Sequence, residues 1–369
     1  MSLDQYYLLG RSGLRVSRLS LGTMNFGTAG FHAPYGKTEE EARPVFRRYL
    51  DAGGNFVDTA DFYTAGESET ILGNLIAEAG VRDRLVLTTK FTNSVAPGDP
   101  NAGGNGRKHM IRAVEASLRR LRTDYLDLFL LHTWDRITPV EEVLRTFDDL
   151  TKAGKIRYAG LSDVPAWYAA RAQTLADAHS LVPMINLQLP YSLAERSIEA
   201  EHVQAGQALG LGITAWSPLA GGFLTGKYRD SGQGLTGEGR LSGEGGMGYE
   251  WTDRHWKLLK TLETVADGLG VTMAQVALNW VATQPGIASA IIGASSAKQL
   301  DSSLAALDFE LPAELRAELD MASAVPPGKP YTMFTPEYQS WIINTGAKVG
   351  DKPAGYHRVV RNWVTEARN

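Results

Sequence analysis

Asn55-Phe56-Val57-Asp58-Thr59-Ala60-Asp61-Phe62-Tyr63 is the stretch from which the fold can be read. A short apolar run, Asn55-Phe56-Val57, ends on a carboxylate, Asp58, and four residues separate that carboxylate from the Tyr63 phenol. Gly53-Gly54 stands before the run, where a helix should stop. After it, Glu67–Ala79 reads as a helix closed by Gly80. Taken alone, Asp58 is an ordinary turn former and Tyr63 an ordinary packing residue. Their meaning depends on whether the same strand–helix pattern recurs.

It recurs along most of the chain. Residues 6–17 predict a hairpin with a Gly-containing turn. Apolar runs at Leu19–Gly22, Asn55–Asp58, Leu85–Lys90, Leu126–Leu131, Ile156–Leu161, Met184–Leu187, Gly212–Ala215 and Ile287–Ile292 read as strands, each followed by helical periodicity. Thr38 with Glu41 predicts a capping box, and Pro44 predicts a late start or a bend in the helix that follows. Thr138-Pro139-Val140-Glu141 predicts a second capping box with proline in the first helical position. Ser197–Leu209 reads as one helix. Thr272-x-x-Gln275 and Ser296-x-x-Gln299 cap two more, and a last helix covers about Ala313–Met321.

Eight βα units in strict alternation predict a parallel sheet with right-handed crossovers. The count suits a (β/α)8 TIM barrel with an N-terminal hairpin, a long Gly-rich loop after the seventh strand (217–251) and a C-terminal tail. A doubly wound open sheet is the alternative that periodicity leaves open. The predicted organisation is one barrel domain over 1–325 and a tail over 326–369 at or near the barrel mouth.

Bulk properties narrow the function. The 369 residues carry a net charge of −4, and no basic face for nucleic acid is apparent. There is no cysteine, hence no thiol nucleophile and no thiolate metal site. The N-terminus lacks the pattern of a signal peptide, and no apolar run approaches the roughly 20 residues needed to span a bilayer. A cytoplasmic protein without a membrane or nucleic-acid partner is expected. The seven histidines form no HxH pair and no HExxH, so no metal is expected.

Several motifs lack their context. GxGxxG occurs at Gly232–Gly237 and Gly243–Gly248, but neither follows a strand or opens a helix. Gly221–Lys227 matches GxxxxGK, yet Tyr228 stands where a P-loop needs Ser or Thr for magnesium. Lys227 remains available for a phosphate, which barrels often bind after strands seven and eight.

The strand ends carry the polar residues: Thr23, Asp58, Lys90, His132, Ser162, Asp163, Gln188 and Trp216. In a barrel these open onto one face, where active sites sit. A carboxylate, an ammonium, a phenol and an imidazole together suit proton donation to a carbonyl. Free tyrosine titrates near about 10, and an adjacent Lys90 ammonium is expected to lower that value. Asp58 would hold Lys90 charged, and His132 would orient the substrate carbonyl or relay a proton. No side chain supplies hydride, so a nicotinamide cofactor is implied.

From the hairpin to about residue 310 the chain resembles the aldo-keto reductase superfamily. The resemblance rests on GGNFVDTADFY (53–63) with GESE (66–69), LTTK ending at Lys90 and LLH ending at His132. It implies a (β/α)8 barrel that binds NADPH, rather than NADH, in extended form. Asp58, Tyr63, Lys90 and His132 would be the catalytic tetrad, with Tyr63 the general acid. Gly22, Thr23 and Met24 would line the nicotinamide ribose, and Ser162, Asp163 and Gln188 would hold the carboxamide. Trp216 would stack on the nicotinamide, with Ser217, Pro218, Leu219 and Gly221 along the pyrophosphate. Lys227 and Arg240 would meet phosphates, with Lys298 a second candidate for the 2′-phosphate. Gly293, Ser295, Gln299 and Ser303 would lie near the adenosine. The carboxamide position is commonly Asn in the family and is Asp163 here; Ser302-Ser303 replace a usual Glu-Asn. Two stretches, Ala215–Tyr228 and Ile291–Leu300, also resemble voltage-gated potassium channel beta subunits, which implies an NADPH-binding regulatory subunit as the alternative. Phe31 and Trp134, with Tyr63 and His132, are candidates for the substrate site. Tyr35 and the tail aromatics Tyr331, Phe334, Tyr338 and Trp341 are further candidate walls.

Overall fold

The computed structural model describes residues 3–230, 235–241, 250–343 and 345–346. Strands β1 (Tyr6–Leu8) and β2 (Arg15–Ser17) form an antiparallel hairpin. Eight parallel strands then close a barrel: β3 (Leu19–Gly22), β4 (Phe56–Asp58), β5 (Val86–Phe91), β6 (Leu126–Leu131), β7 (Ile156–Ser162), β8 (Met184–Pro190), β9 (Gly212–Trp216) and, after a two-strand ribbon of β10 (Arg229–Asp230) and β11 (Leu235–Thr236), β12 (Ile287–Ile292). β12 pairs with both β3 and β9, so no edge is left open. The open-sheet alternative is thereby removed.

Helices cover the outside: α1 (Glu39–Asp51), α2 (Glu67–Ala79), α3 (Arg107–Leu121), α4 (Val140–Lys152), α5 (Ala166–Ala178), α6 (His202–Leu209), α7 (Asp253–Leu269), α8 (Met273–Ala282), α9 (Ala297–Leu304), α10 (Ala313–Ser323) and α11 (Pro336–Ile342). Strands covered on both faces need apolar residues throughout, and every residue of β5 is buried. Among the described residues no helix is long and apolar enough to cross a membrane.

Leu9 and Val16 of the hairpin pack with Phe56, Val86, Leu128, Leu130, Ile185 and Ala288 in one apolar cluster. Most of these lie at or near the first residues of their strands, so the hairpin plugs the N-terminal end of the barrel. Gly10 makes that possible: at φ +58°, a Cβ there would lie 2.3 Å from the Ile185 carbonyl oxygen. With that end sealed, the C-terminal end is the one available to a ligand.

Four local expectations change. Pro44 does not delay α1, which starts at Glu39 behind an intact Thr38–Glu41 capping box. The buried face Ala42, Val45, Phe46 and Tyr49 outweighs one lost backbone donor. Thr138 makes no cap. Its hydroxyl donates to Asp135 Oδ2 at 2.6 Å, and Pro139 takes the cap position of α4. Ser197–Leu209 splits into a 3-10 turn (Ser197–Glu199) and α6, broken at Glu201, whose φ and ψ are −137° and −49°. The tail contains a 3-10 turn (Tyr331–Phe334) and α11 before the described residues end. The Tyr331 hydroxyl bonds the Glu201 carboxylate. Gly243–Gly248, part of Gly232–Gly237 and 347–369 lie outside the described residues.

Candidate active site

Parallel register brings the strand ends to one level: Gly22 pairs with Asp58, Asp58 with Thr88, and Ser162 with Gln188. Lys90 lies two residues beyond Thr88 on the same face of β5. At this level a cavity of ≈ 440 Å³ opens, lined by Asp58, Tyr63, His132, Ser162, Asp163, Gln188 and Trp216 among others.

The Lys90 ammonium is fully buried, and its three N–H donors have three acceptors. It donates to Asp58 Oδ1 at 2.6 Å, to the Thr59 carbonyl at 2.8 Å and to Tyr63 Oη at 3.3 Å. An ammonium has no lone pair, so the Tyr63 oxygen must be the acceptor, and the phenolic hydrogen points away from Lys90. Asp58 Oδ2 accepts from Gln188 Nε2 at 2.8 Å. The carboxylate can only accept, which fixes the Gln188 amide orientation and leaves its carbonyl oxygen on the other side. His132 stands edge-on to Tyr63, ring centroids 5.8 Å apart. Its backbone N–H reaches the Phe91 carbonyl at 2.9 Å and Thr92 Oγ1 at 3.2 Å. Thr92 holds φ +127°, a strained setting for a β-branched residue beside the site.

Burial and charge compete at these groups. Burial alone would lower the Lys90 ammonium, but the Asp58 carboxylate and the Tyr63 phenol outweigh it, and Lys90 stays above its ordinary range. Burial holds the Tyr63 phenol above its ordinary value of 10.0, and the Lys90 charge only partly opposes this. The expected net lowering of Tyr63 by Lys90 is therefore corrected: desolvation of the phenolate is the larger effect. Burial also pushes Asp163 up from 3.8 to about 6, although its carboxylate accepts from Trp216 Nε1 at 3.0 Å.

Of the residues expected at a cofactor site, Gly22, Met24, Asp58, Ser162, Asp163, Gln188, Trp216, Ser217, Pro218, Leu219, Gly221, Lys227, Arg240, Gly293, Ser295, Gln299 and Ser303 line this cavity. Thr23 does not. It is fully buried, and its hydroxyl bonds the Asp58 carbonyl at 3.1 Å and Ser68 Oγ at 2.9 Å. Trp134 is not in the lining either, because its ring stands edge-on to Trp167 at 5.3 Å and packs against the core. Phe31 lies in a 3-10 turn (Gly30–Tyr35), and its side chain lies outside the described residues. Lys298 and the tail aromatics are absent from the lining, whereas Tyr35 is in it, 4.5 Å below the Arg240 guanidinium.

Asn25, Phe62, Gly222, Thr225, Ile291, Ile292 and Ala294 also line the cavity and were not anticipated. Phe62 had a signal, since it precedes Tyr63 in the opening stretch. Asn25 had none: its Nδ2 reaches the Ala294 carbonyl at 3.0 Å, a contact 269 residues apart in sequence.

The lining fits a nicotinamide dinucleotide. Ser162 Oγ is buried at the cavity with no hydrogen-bond partner, next to the Gln188 amide and the Asp163 carboxylate. Two cations, Lys227 and Arg240, stand in the same lining as Ser295, Gln299 and Ser303. Gln299 Oε1 is already engaged by Ser295 N and Oγ, each at 2.7 Å.

A family model, Aldo/keto reductase family, matches residues 18–324. The chain is 35% identical over 347 residues to a Bacillus subtilis (strain 168) protein called uncharacterized oxidoreductase YrpG, covering 91% of this chain and 100% of that one. It is 35% identical over 314 residues to norsolorinic acid reductase stcV of Emericella nidulans, covering 84% of this chain and 79% of the other. A probable voltage-gated potassium channel subunit beta of Oryza sativa subsp. japonica is 35% identical over 333 residues, covering 88% and 98%. With this barrel and this strand-end cluster, these likenesses define a (β/α)8-barrel oxidoreductase of carbonyl compounds. The chain belongs to the aldo/keto reductase family and is an NAD(P)H-dependent oxidoreductase.

Proposed function

We propose that the protein reduces an aldehyde or ketone to the alcohol, reversibly, with NADPH as cofactor and Tyr63 as general acid. The observation that carries this reading is the complete use of the three Lys90 donors on Asp58, Thr59 and Tyr63. The bound cofactor supplies hydride to the carbonyl carbon. Tyr63 gives its phenolic proton to the carbonyl oxygen, and Lys90 stabilises the phenolate that remains. His132 stands edge-on to the phenol and orients the carbonyl. Asp58 keeps Lys90 charged inside an apolar barrel.

Ser162, Asp163 and Gln188 would hold the carboxamide of the cofactor, Trp216 would pack on the nicotinamide, and Lys227 and Arg240 would take its phosphates. Asp163 serves the carboxamide as an acceptor when ionised and as a donor only when protonated. The substrate is a small-molecule carbonyl compound, reached from the barrel mouth. Tyr63→Phe should abolish turnover while the protein still quenches its tryptophan fluorescence with NADPH. Full activity in that variant would overturn the assignment.

The second reading is an NADPH-binding regulatory subunit with slow reductase activity. Its support is the likeness to the proteins named potassium channel subunit beta. Multiple turnovers of NADPH with simple aldehydes favour the enzyme; a single slow turnover per bound nucleotide favours the regulatory subunit.

A further inference from the structure

The segment after Tyr63 sends polar side chains to several elements around the site. Thr64 Oγ1 bonds the Phe26 carbonyl at 2.6 Å. Glu67 Oε2 accepts from Thr28 N at 2.7 Å and Ala29 N at 3.1 Å. Glu69 Oε1 accepts from Thr89 Oγ1, beside Lys90, at 2.6 Å. Ser68 occupies the centre of this arrangement. Its hydroxyl is fully buried, 2.7 Å from the Thr23 carbonyl, 2.9 Å from Thr23 Oγ1 and 3.0 Å from Thr59 Oγ1.

Counting protons orders these bonds. The Thr23 carbonyl only accepts, so the single Ser68 hydrogen goes there. The Thr59 hydroxyl then donates to Ser68 Oγ. The Thr23 hydroxyl donates to the Asp58 carbonyl or to Ser68. Ser68 thus stands one bond behind Thr59 and, through the Thr23 hydroxyl, two bonds behind Asp58, the two residues that seat the ammonium, since Lys90 bonds the Asp58 carboxylate and the Thr59 carbonyl. On the other side, Ser68 N donates to Thr64 Oγ1 at 2.9 Å, directly after Tyr63. Thr64 and Ala65 hold φ of 46° and 56°, a left-handed pair that a loose tether would release.

We propose that Ser68 is a positioning residue for the reaction, its hydroxyl locking the ends of β3 and β4 to the turn that carries Tyr63 and so setting the approach of Lys90 to the phenol. The inference rests on Tyr63 acting as the proton donor. It concerns alignment, so the loss should appear in the chemical step and not in ligand binding.

The test uses Ser68→Ala and the near-isosteric Thr59→Val in the full-length protein with NADPH. With 4-nitrobenzaldehyde as probe, kcat should fall about ten- to a hundredfold in each, the size expected of a misplaced reacting group. The KM for the aldehyde and the Kd for NADPH should stay within about twofold. The double variant should lose no more than Ser68→Ala alone, because Thr59→Val breaks one of the bonds that Ser68→Ala already removes. Ser323→Ala removes another fully buried, hydrogen-bonded serine hydroxyl, in α10, and should leave kcat unchanged. A second readout needs no turnover. Ionisation of Tyr63, followed by NMR of ring-labelled tyrosine with Tyr63→Phe for assignment, should move upward in both variants as Lys90 backs away. Wild-type kcat in both variants with Tyr63→Phe inactive would overturn the role of Ser68 alone. Activity of Tyr63→Phe, or a wild type inactive on every carbonyl, would overturn the reading of the site. In that event an unmoved Tyr63 titration would still reject the positioning role.

Discussion

Gln188 Nε2 donates to Asp58 Oδ2 at 2.8 Å, joining the ends of β8 and β4, which are not neighbours in the sheet. With Lys90 on Oδ1 at 2.6 Å, each oxygen of this buried carboxylate has one strong donor. Asp58 is thus the group that allows an ammonium to sit inside the barrel. Asp58→Asn should remove the charge partner of Lys90 and cost about 3–5 kcal/mol in stability, the range for breaking one side of a buried pair. Urea unfolding measures it. A loss below about 1 kcal/mol would show that Lys90 is held charged by something else.

Asp163 gives a pH dependence. Its folded-state value of about 6 lies above its ordinary 3.8, because burial disfavours the charged form. The sign is that of a raised acid. The stability it contributes is fully present below about 4 and is lost as pH rises through about 6. Asp163→Asn keeps an acceptor for the Trp216 indole and carries no charge. The variant should match wild type in melting temperature near pH 4 and exceed it by a constant margin above pH 7. It should also bind NADPH more tightly at pH 7.5, since Asn can donate to the carboxamide. Parallel melting curves across that range would contradict the assignment.

Asp61 lies between Asp58 and Tyr63 in sequence and is 2% exposed, with no side-chain hydrogen-bond partner for its carboxyl. Burial, and then the Glu69 carboxylate, hold its carboxyl well above the ordinary range, against the pull of Arg120 and Lys90. The folded protein therefore favours the neutral acid, and stability falls as pH rises through the folded value. Asp61→Asn should be more stable relative to wild type at pH 9 than at pH 3.5, below the ordinary carboxylate value of 3.8. Denaturant midpoints at the two pH values decide it, and an equal difference at both would refute the neutral state.

Arg240 stands over the Tyr35 ring at 4.5 Å, and both line the cavity. A guanidinium in that place suits a phosphate oxygen. Arg240→Ala should raise the Kd for NADPH about tenfold or more and that for NADH little. Equal weakening of both nucleotides would assign Arg240 to the shared pyrophosphate instead of the 2′-phosphate.

Much of the fold was legible because its periodicities are local. Strands buried on both faces read as apolar runs, and helices facing one side read at helical spacing. Capping at Thr38 and Thr272 was legible for the same reason. Thr138 was not: the capping pattern was present, but the Asp135 carboxylate, three residues away, accepts the hydroxyl instead. Pro44 shows the same limit, since its helix is held by burial that a local rule does not see.

The sequence by itself determined the alternation of eight strands with helices and the chemical identity of the groups at the strand ends. These depend on residue type and on spacings within one element. Only the tertiary structure decided that the sheet closes, that Lys90 spends its three donors on Asp58, Thr59 and Tyr63, and that Thr23 turns away from the cavity toward Ser68. Partners such as Gln188 and Asp58, 130 residues apart, meet because of barrel register. The net rise in the Tyr63 phenol likewise reflects burial by several elements at once, outweighing the one charge visible from the motif.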